Sequence, residues 1–149
     1  MFRKAFLGVC LISAFLAAGC ASVPMASKDE DTAVKAFSTP PAGKAGLYIY
    51  RNTFGGQALK KKLYVDGVFL GETANKVYFY KELAPGQHEI STESEFSNNA
   101  LALKVQAGNN YFVEQFIKIG VFVGGAALKQ VSEEEGKKKV LECMLAKPQ

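Results

Sequence analysis

The chain has 149 residues, with 18 Lys and Arg against 14 Asp and Glu, a formal net charge of +4, one His and three Cys. This length suits a single domain and leaves no room for a two-domain enzyme with its own cofactor fold. The His and Cys are too few for a zinc cluster, so we expect no metal and no cofactor, and the modest, unclustered charge argues against a nucleic-acid partner.

The N-terminus has the three parts of a secretory signal peptide. Arg3 and Lys4 form a short positive region, followed by an uncharged run over residues 5–18. That run is too short for a membrane-spanning helix, which needs roughly 18 to 20 apolar residues. Small residues then precede Cys20, as signal peptidases require. We therefore expect residues 1–19 to be removed as a signal peptide.

The segment around the cleavage site resembles the bacterial lipobox. It reads Leu16-Ala17-Ala18-Gly19-Cys20, with Ala17 in the place where Leu is common. The resemblance implies cleavage after Gly19, a diacylglycerol on the Sγ atom of Cys20, and acylation of the new amine. An ordinary secretory signal cut near Ala21 and an uncleaved anchor are the alternatives.

Lipidation would tether the mature chain to a membrane without spanning it, because two or more acyl chains hold a protein stably at a bilayer. Ala21 and Ser22 follow the Cys, without the Asp that typically retains bacterial lipoproteins at the inner membrane. The resemblance therefore implies the periplasmic face of the outer membrane, with the inner membrane as the alternative. Loss of Arg3 and Lys4 lowers the formal charge to +2.

Cys143 is the one thiol left after such processing, since Cys10 leaves with the signal and Cys20 carries lipid. A small buried apolar residue is the commonest role of such a cysteine. An intermolecular disulfide and a reactive thiol are the alternatives in a compartment that favours disulfides.

Residues 20–45 are predicted to be a flexible, lipidated tether. They are rich in Ala, Ser, Thr, Pro and charge, and Pro40-Pro41 forbids a regular element. Residues 31–37 could form one or two helical turns, but nothing in the sequence fixes them to the domain.

From residue 46 onward the sequence predicts short β-strands separated by Gly, Pro and Asn. The candidates are residues 46–52, 62–65, 68–71, 76–83, 87–96, 100–106 and 111–119. Asp66-Gly67 joins two of them and is typical of a type I′ hairpin turn. We expect one mainly β domain over residues 46–149, an antiparallel β-sandwich of about six to eight short strands.

A short helix is predicted near the C-terminus. Ser132 followed by three Glu has the capping-box pattern, with lysines further along. Val140, Cys143 and Met144 then fall on one helical face. Gly136 costs this helix roughly 1 kcal/mol relative to Ala.

Several motifs carry a family resemblance. Those that resemble β-sandwich modules of the PEGA type are Val65-Asp66-Gly67, Leu70-Gly71-Glu72 and residues 83–90. A longer pattern, over about residues 46–145, is similar to bacterial lipoproteins that carry the domain of unknown function 2846. Its features are Tyr48 to Arg51, Ala107-Gly108 before Tyr111-Phe112, residues 120–124 and the tail from Ser132 to Leu145. The resemblance implies a fold and a location, and it supplies no catalytic residues.

No cluster of residues predicts an enzyme. His88 is expected to be structural, since it begins a strand and has no recognisable carboxylate partner. Glu89, Glu93 and Glu95 share one strand face that we expect to be solvated. Gly124-Gly125 lacks the Lys that a phosphate loop requires. We therefore expect no catalytic residue.

Two short basic runs, Lys60 to Lys62 and Lys137 to Lys139, are the other charged features. A solvated surface is the commonest role of such runs. Contact with anionic headgroups or cell-wall polymer is the alternative.

Tyrosines are concentrated in the first half of the domain. Tyr48 and Tyr50 share one strand face, and Tyr78 and Tyr80 share another. Packing at the edge of the core is their commoner role. A binding surface is the alternative, because Tyr offers a large amphipathic area at low entropic cost.

Together these features predict a lipid-anchored envelope protein without enzymatic activity. We expect a binding or adaptor module that meets an envelope protein through a strand edge or the tyrosine face. The alternative is a structural lipoprotein that contacts peptidoglycan or lipid headgroups through its Lys runs.

Overall fold

The computed structural model describes residues 22–94, 98–120 and 124–149, so the predictions for Gly19, Cys20 and Glu95 lie outside the described residues. The described helices and strands follow in chain order: α1 (Lys28–Val34), β1 (Ala45–Arg51), β2 (Lys61–Val65), β3 (Val68–Thr73), β4 (Val77–Leu83), β5 (Gly86–Glu93), β6 (Asn98–Val105), β7 (Asn110–Lys118), β8 (Gly125–Val131), α2 (Glu133–Leu141) and β9 (Met144–Leu145).

The strands form two sheets, which confirms the predicted mainly β fold. One sheet has five strands in the order β8-β7-β1-β4-β9, and the other has four in the order β3-β2-β5-β6. The pairing is not antiparallel throughout, because β1 runs parallel to β7 and β4 runs parallel to β9. Parallel neighbours need long connections, which the intervening strands supply here. The first sheet is therefore mixed, a correction to the expected antiparallel sandwich.

The Asp66-Gly67 hairpin forms as predicted between β2 and β3. Asp66 and Gly67 have φ values of 52° and 75°, in the left-handed region that both central residues of a type I′ turn must occupy. Strand β8 is not among the predicted strands. Its Gly, Ala, Lys and Gln residues have low β-propensity, and it forms by pairing along β7.

Apolar side chains fill the space between the sheets. The larger buried members of this inner core are Leu47, Ile49, Leu63, Phe79, Ile90 and Leu103. A buried polar chain crosses the same layer: Gln115 Nε2 donates to the Thr92 hydroxyl at 2.7 Å, and Gln115 Oε1 accepts from the Thr73 hydroxyl. Because Gln115 belongs to one sheet and both threonines to the other, these hydrogen bonds fix the sheets relative to each other.

The outer face of the five-stranded sheet is covered by the two helices. Tyr48, Tyr50, Tyr78 and Phe112 pack there against Val140 and Cys143, and we call this cluster the outer core. All seven residues of β1 are buried, since one face meets the inner core and the other meets the outer core. The domain therefore has three layers: helices, mixed sheet and four-stranded sheet.

The predicted flexible tether is wrong for residues 22–45, because the structure builds this segment into the domain. Val23 is buried with the inner core, and Met25 pairs with Ala146 just beyond β9. Ser27 caps α1 through a full capping box with Glu30. The composition of residues 22–45 does not predict this ordered structure, because a seven-residue helix is unstable alone and forms only through tertiary contacts.

Asp31 attaches α1 to the sheet. Its Oδ1 atom accepts hydrogen bonds from the Tyr78 hydroxyl and the Leu145 amide, each at 2.9 Å. Its Oδ2 atom accepts from Lys35 Nζ at 2.8 Å, and Lys35 Nζ also donates to the Cys143 carbonyl at 2.5 Å. One buried carboxylate thus joins α1, β4 and β9.

Helix α2 confirms the predicted C-terminal helix. Ser132 Oγ accepts a hydrogen bond from the Glu135 amide at 3.2 Å. The helix ends at Leu141, so Cys143 and Met144 lie beyond it, and Met144 is exposed. Gly136 lies so close to Phe112 that a Cβ atom at this position would overlap the Phe112 ring. This contact explains why the helix contains a glycine here, although glycine weakens an isolated helix.

Candidate functional site

The tyrosine face lies inside the protein. Tyr48, Tyr50 and Tyr78 are at most 2% exposed, so the prediction of a binding surface is wrong for these three residues. The ring of Phe37 lies 5.4 Å from that of Tyr48, and Tyr48 stacks on Phe112 at 4.8 Å. The helices cover these rings because an apolar sheet face must be buried against another layer.

The buried tyrosine hydroxyls have structural roles. Tyr48 donates to the Val34 carbonyl at 3.1 Å, and Tyr78 donates to Asp31. The Tyr50 hydroxyl is buried without a hydrogen-bond partner in the described part of the chain. Burial raises the pKa of all three hydroxyls above the ordinary value, so they stay neutral at physiological pH.

Tyr80 is the partly exposed member of the predicted set. Together with Tyr48 it lines a cleft of about 240 Å³ beside Pro40 and Pro41. This cleft is what remains of the predicted tyrosine surface.

The strand edges, the other predicted binding surface, are partly occupied. Met25 pairs beyond β9, and the Gln149 amide donates to the Leu70 carbonyl of β3 at 2.9 Å. Asn99 Nδ2 donates to the Ala126 carbonyl of β8 at 2.5 Å. An added strand would have to displace these contacts.

His88 fastens the hairpin to the neighbouring turn, as its predicted structural role requires, but it does have a carboxylate partner. Its Nδ1 atom lies 2.6 Å from Asp66 Oδ2, and its Nε2 atom lies 2.7 Å from the Ala84 carbonyl oxygen. Both ring nitrogens face acceptors, an arrangement that favours the doubly protonated imidazolium. The hydrogen bond to Asp66 accordingly raises the pKa of His88.

The charges of the two Lys runs are less accessible to a ligand than the sequence suggests. Lys61 is only 8% exposed, which separates exposed Lys60 from exposed Lys62. Lys137 Nζ pairs with Glu133 at 2.5 Å and lies 5.6 Å from the ring centroid of Phe37. Neither run presents three free charges side by side.

Cys143 is a buried free thiol. Burial raises its pKa to about 12, so the thiol is protonated and poorly nucleophilic in the folded protein. The structure supports the buried apolar role.

An apolar groove of about 370 Å³ lies where β1 and β7 end, and we call it the end groove. Its lining includes Leu59 from the loop after β1 and Ile117 and Lys118 from β7. Beside these, Phe54 is 98% exposed and Ile119 is fully exposed. Isolated exposed apolar residues are ordinary, whereas exposed apolar patches mark interaction sites, so we take the end groove with neighbouring Phe54 and Ile119 as the candidate site.

Two positively charged side chains, Arg51 and Lys118, lie at the end groove. Arg51 is fully buried below the loop, where its guanidinium donates to the carbonyls of Gly56 at 2.5 Å and Leu59 at 2.8 Å. Burial lowers the pKa of Arg51 to about 10, so it keeps its charge at neutral pH. No carboxylate hydrogen-bonds to Arg51 in the described ranges, and Lys118 adds a second positive charge at the surface.

Sequence reasoning missed Phe54, Ile119 and Arg51. An aromatic residue followed by Gly-Gly in a loop was the available signal for Phe54. Ile119 continues the apolar alternation of β7 and therefore looks like a core residue. Arg51 ends a strand, and only the fold shows that it turns inward.

A family model described as "protein of unknown function (DUF2846)" matches residues 41–126. The chain belongs to the DUF2846 family. An uncharacterized protein of Haemophilus influenzae is 54% identical over 144 residues, which cover 97% of this chain and 83% of that protein. No solved structure matches the chain.

The match to the DUF2846 family includes the loop that carries Phe54 and all of β7. Neither α1 nor α2, in the part of the chain that the structure describes, is long and apolar enough to cross a membrane. Within residues 22–94, 98–120 and 124–149, no group of three or more His, Cys, Asp or Glu side chains is arranged to hold a metal ion.

Proposed function

We propose that the protein is a lipid-anchored, non-catalytic binding module of the bacterial envelope. Its end groove holds an apolar segment of an envelope protein. Acidic residues beside that segment meet Lys118 at the surface, and the charge of buried Arg51 attracts them only from below the loop. The observation that carries this proposal is the combination of exposed Phe54 and Ile119 with buried positive charge under the same loop.

The apolar contact supplies most of the affinity. Burying one large apolar side chain contributes roughly 1.5 to 3 kcal/mol, so Phe54, Ile119 and one partner side chain in the groove support a weak, reversible complex. The positive charges of Lys118 and Arg51 favour an acidic partner and speed its encounter.

The anchor supplies the location. Residues 16–20 carry the lipobox resemblance, which supports a diacylglycerol on Cys20 and residence at the periplasmic face of the outer membrane, with the inner membrane as the alternative.

Site-specific photo-crosslinking in intact cells tests the groove. A photoreactive amino acid at Phe54 should give one dominant protein adduct with an acidic, apolar contact segment, identified by mass spectrometry after detergent extraction. Ile119→Asp and Lys118→Glu should each reduce this adduct several-fold. Leu141→Asp is the matched control, since Leu141 is 58% exposed but does not line the groove, and it should leave the adduct unchanged.

Two other outcomes would contradict the proposal. Adducts with many proteins that ignore Ile119→Asp would show that the groove has no specific partner. Adducts with lipid or cell-wall fragments alone, lost at high salt, would favour a structural lipoprotein instead. Cys20→Ala serves as the untethered form, and loss of the adduct in it would show that the anchor sets the local concentration of the partner.

A further inference from the structure

We infer that residues 22–27 hold the domain directly against the membrane, with the β2–β3 hairpin end toward the lipid headgroups and the end groove away from them. This inference rests on the proposed lipidation of Cys20. It replaces the idea of a domain that stands off the bilayer on a flexible tether.

The segment that follows the anchor is integrated into the fold. The Ala26 amide donates to the Leu145 carbonyl at 2.9 Å, and the Pro24 carbonyl accepts from the Lys147 amide at 2.9 Å. Val23 is 8% exposed. These contacts hold residues 23–26 as an additional edge segment beside the C-terminus.

The chain left between anchor and fold is very short. Cys20 and Ser22 are two residues apart, and two residues span at most about 7 Å. A flexible tether over residues 20–45 would instead have a root-mean-square span of about 25 to 30 Å. The headgroup layer is itself about 5 to 8 Å thick on each side. The domain surface around Ser22 must therefore touch the headgroups.

The strand register gives the direction in which this segment leaves the domain. Strand β9 runs parallel to β4, away from the end of the sheet where Val77 pairs with Arg51. The Met25–Ala146 pairing is antiparallel, so the chain from Met25 back to Ser22 leads away from that same end. The end groove, which lies beside Arg51, therefore faces away from the anchor.

Exposed apolar side chains lie on the hairpin near this exit. The backbone N–H of Gln149 donates a hydrogen bond to the Leu70 carbonyl of β3. This bond brings the C-terminus, and the N-terminal segment paired with it, next to β3. On the same strand Val68 is 67% exposed and Phe69 is 37% exposed. We assign these two side chains to the interface between lipid and water, where apolar and aromatic groups gain by partial burial.

Single-tryptophan variants of the full chain test the orientation, since the protein has no Trp of its own. Phe69→Trp places the probe at the hairpin, and Phe54→Trp is the matched control at the end groove. Each lipidated protein is reconstituted into vesicles of phosphatidylethanolamine and phosphatidylglycerol that carry nitroxide-labelled headgroups. We expect a blue shift and at least two-fold quenching for Phe69→Trp, and neither effect for Phe54→Trp. Equal quenching of both probes, or quenching of Phe54→Trp alone, would overturn the orientation.

A spacer tests the short connection. Inserting a Gly-Ser run of about ten residues between Ala21 and Ser22 should restore a flexible tether and relieve most of the Phe69→Trp quenching. Unchanged quenching would show that the connection does not set the orientation.

A separate arm distinguishes failure of the anchor from failure of the orientation. Mass spectrometry of the purified protein shows whether Cys20 is acylated, and an unmodified Cys20 would refute the proposed anchoring. The quenching experiment is then repeated with a chain that begins at residue 20, whose Cys20 is coupled chemically to a maleimide lipid. The coupling is selective for Cys20 because Cys143 is buried and does not compete for the reagent. Loss of the contrast between the two Trp probes in the coupled protein would refute the orientation by itself.

Discussion

The two faces of the five-stranded sheet are buried by different means. The inner face meets a second sheet through aliphatic side chains such as Leu47 and Ile49. The outer face meets two short helices through aromatic rings, and α1 is attached to it by the hydrogen bonds of Asp31. An inner core built from paired strands unfolds with the whole domain, whereas short helices held by few contacts can open locally. The comparison indicates that the helical layer is the less stable one.

The largest expected effect comes from the inner core. Ile49→Ala should destabilise the domain by about 2 to 5 kcal/mol, because it removes a buried side chain and the surrounding core relaxes only partly around the gap. Urea unfolding followed by circular dichroism measures this loss. Val68→Ala, at a residue that is 67% exposed, should change the free energy of unfolding by less than about 0.5 kcal/mol. Equal effects of the two substitutions would contradict the assigned inner core.

Asp31→Ala should cost about 2 to 3 kcal/mol, because it leaves the Tyr78 hydroxyl and the Leu145 amide buried without their acceptor. The loss should appear first as opening of the helical layer. In a Cys20→Ser background, thiol labelling of Cys143 should then be faster than in the parent under conditions in which the sheets are still folded.

Asp29→Ala is the control for that experiment, since Asp29 is exposed on the same helix. It should leave the labelling rate within about two-fold of the parent, given the small effect of most surface substitutions. Labelling of Cys143 only in parallel with global unfolding would show that the two layers are one cooperative unit.

Gly136→Ala should destabilise the protein by about 1 to 3 kcal/mol through crowding of Phe112, even though Ala favours a helix by roughly 1 kcal/mol. Thermal unfolding measures the balance of these two terms. Lys138→Ala is the control at an exposed position of the same helix. A higher melting temperature for Gly136→Ala would mean that the outer core can relax around the added methyl group.

Sequence patterns predicted the parts of this fold that local chemistry determines. The Asp66-Gly67 turn, most strands and the Ser132 cap follow from residue types that favour those structures wherever they occur. The order of residues 22–45 could not be predicted, because Asp31 becomes an attachment point only when Tyr78 and Leu145 are brought to it.

The candidate site was harder to predict for the same reason. Alternation along a strand assigns residues to faces, and it correctly put Tyr48 and Tyr50 on one face. It does not show whether another layer covers that face, so it could not distinguish buried Tyr50 from exposed Phe54. The end groove comes from a loop and a strand far apart in sequence, and Arg51 gains its role only when the loop closes over it.

The smallest expected effect is a pH dependence at the hairpin, outside both cores. The hydrogen bond to Asp66 raises the pKa of His88 in the folded protein. The protonated His88 therefore contributes its full stabilisation at pH values below the pKa of His in the unfolded chain, about 6.5. The contribution is lost as the pH rises through the higher folded pKa. Burial tends to raise the pKa of Asp66, but its hydrogen bonds to His88 and the Glu89 amide outweigh this and lower it. The Asp66 contribution is therefore lost as the pH falls below about 4.

We expect a change below about 1 kcal/mol across the upper transition, since the Asp66 side chain is 47% exposed and solvent screens the pair. Urea unfolding between pH 5 and pH 9, compared with Asp66→Asn, measures it. Asn tolerates the left-handed turn position, keeps one oxygen that can accept from the Glu89 amide, and removes both the charge and the second acceptor oxygen that faces His88. Its stability should vary less with pH than that of the parent. An increase in the parent's stability as His88 loses its proton would contradict this prediction. It would mean that the imidazolium is not the form that links Asp66 to the Ala84 carbonyl. The hairpin would then depend on its turn alone.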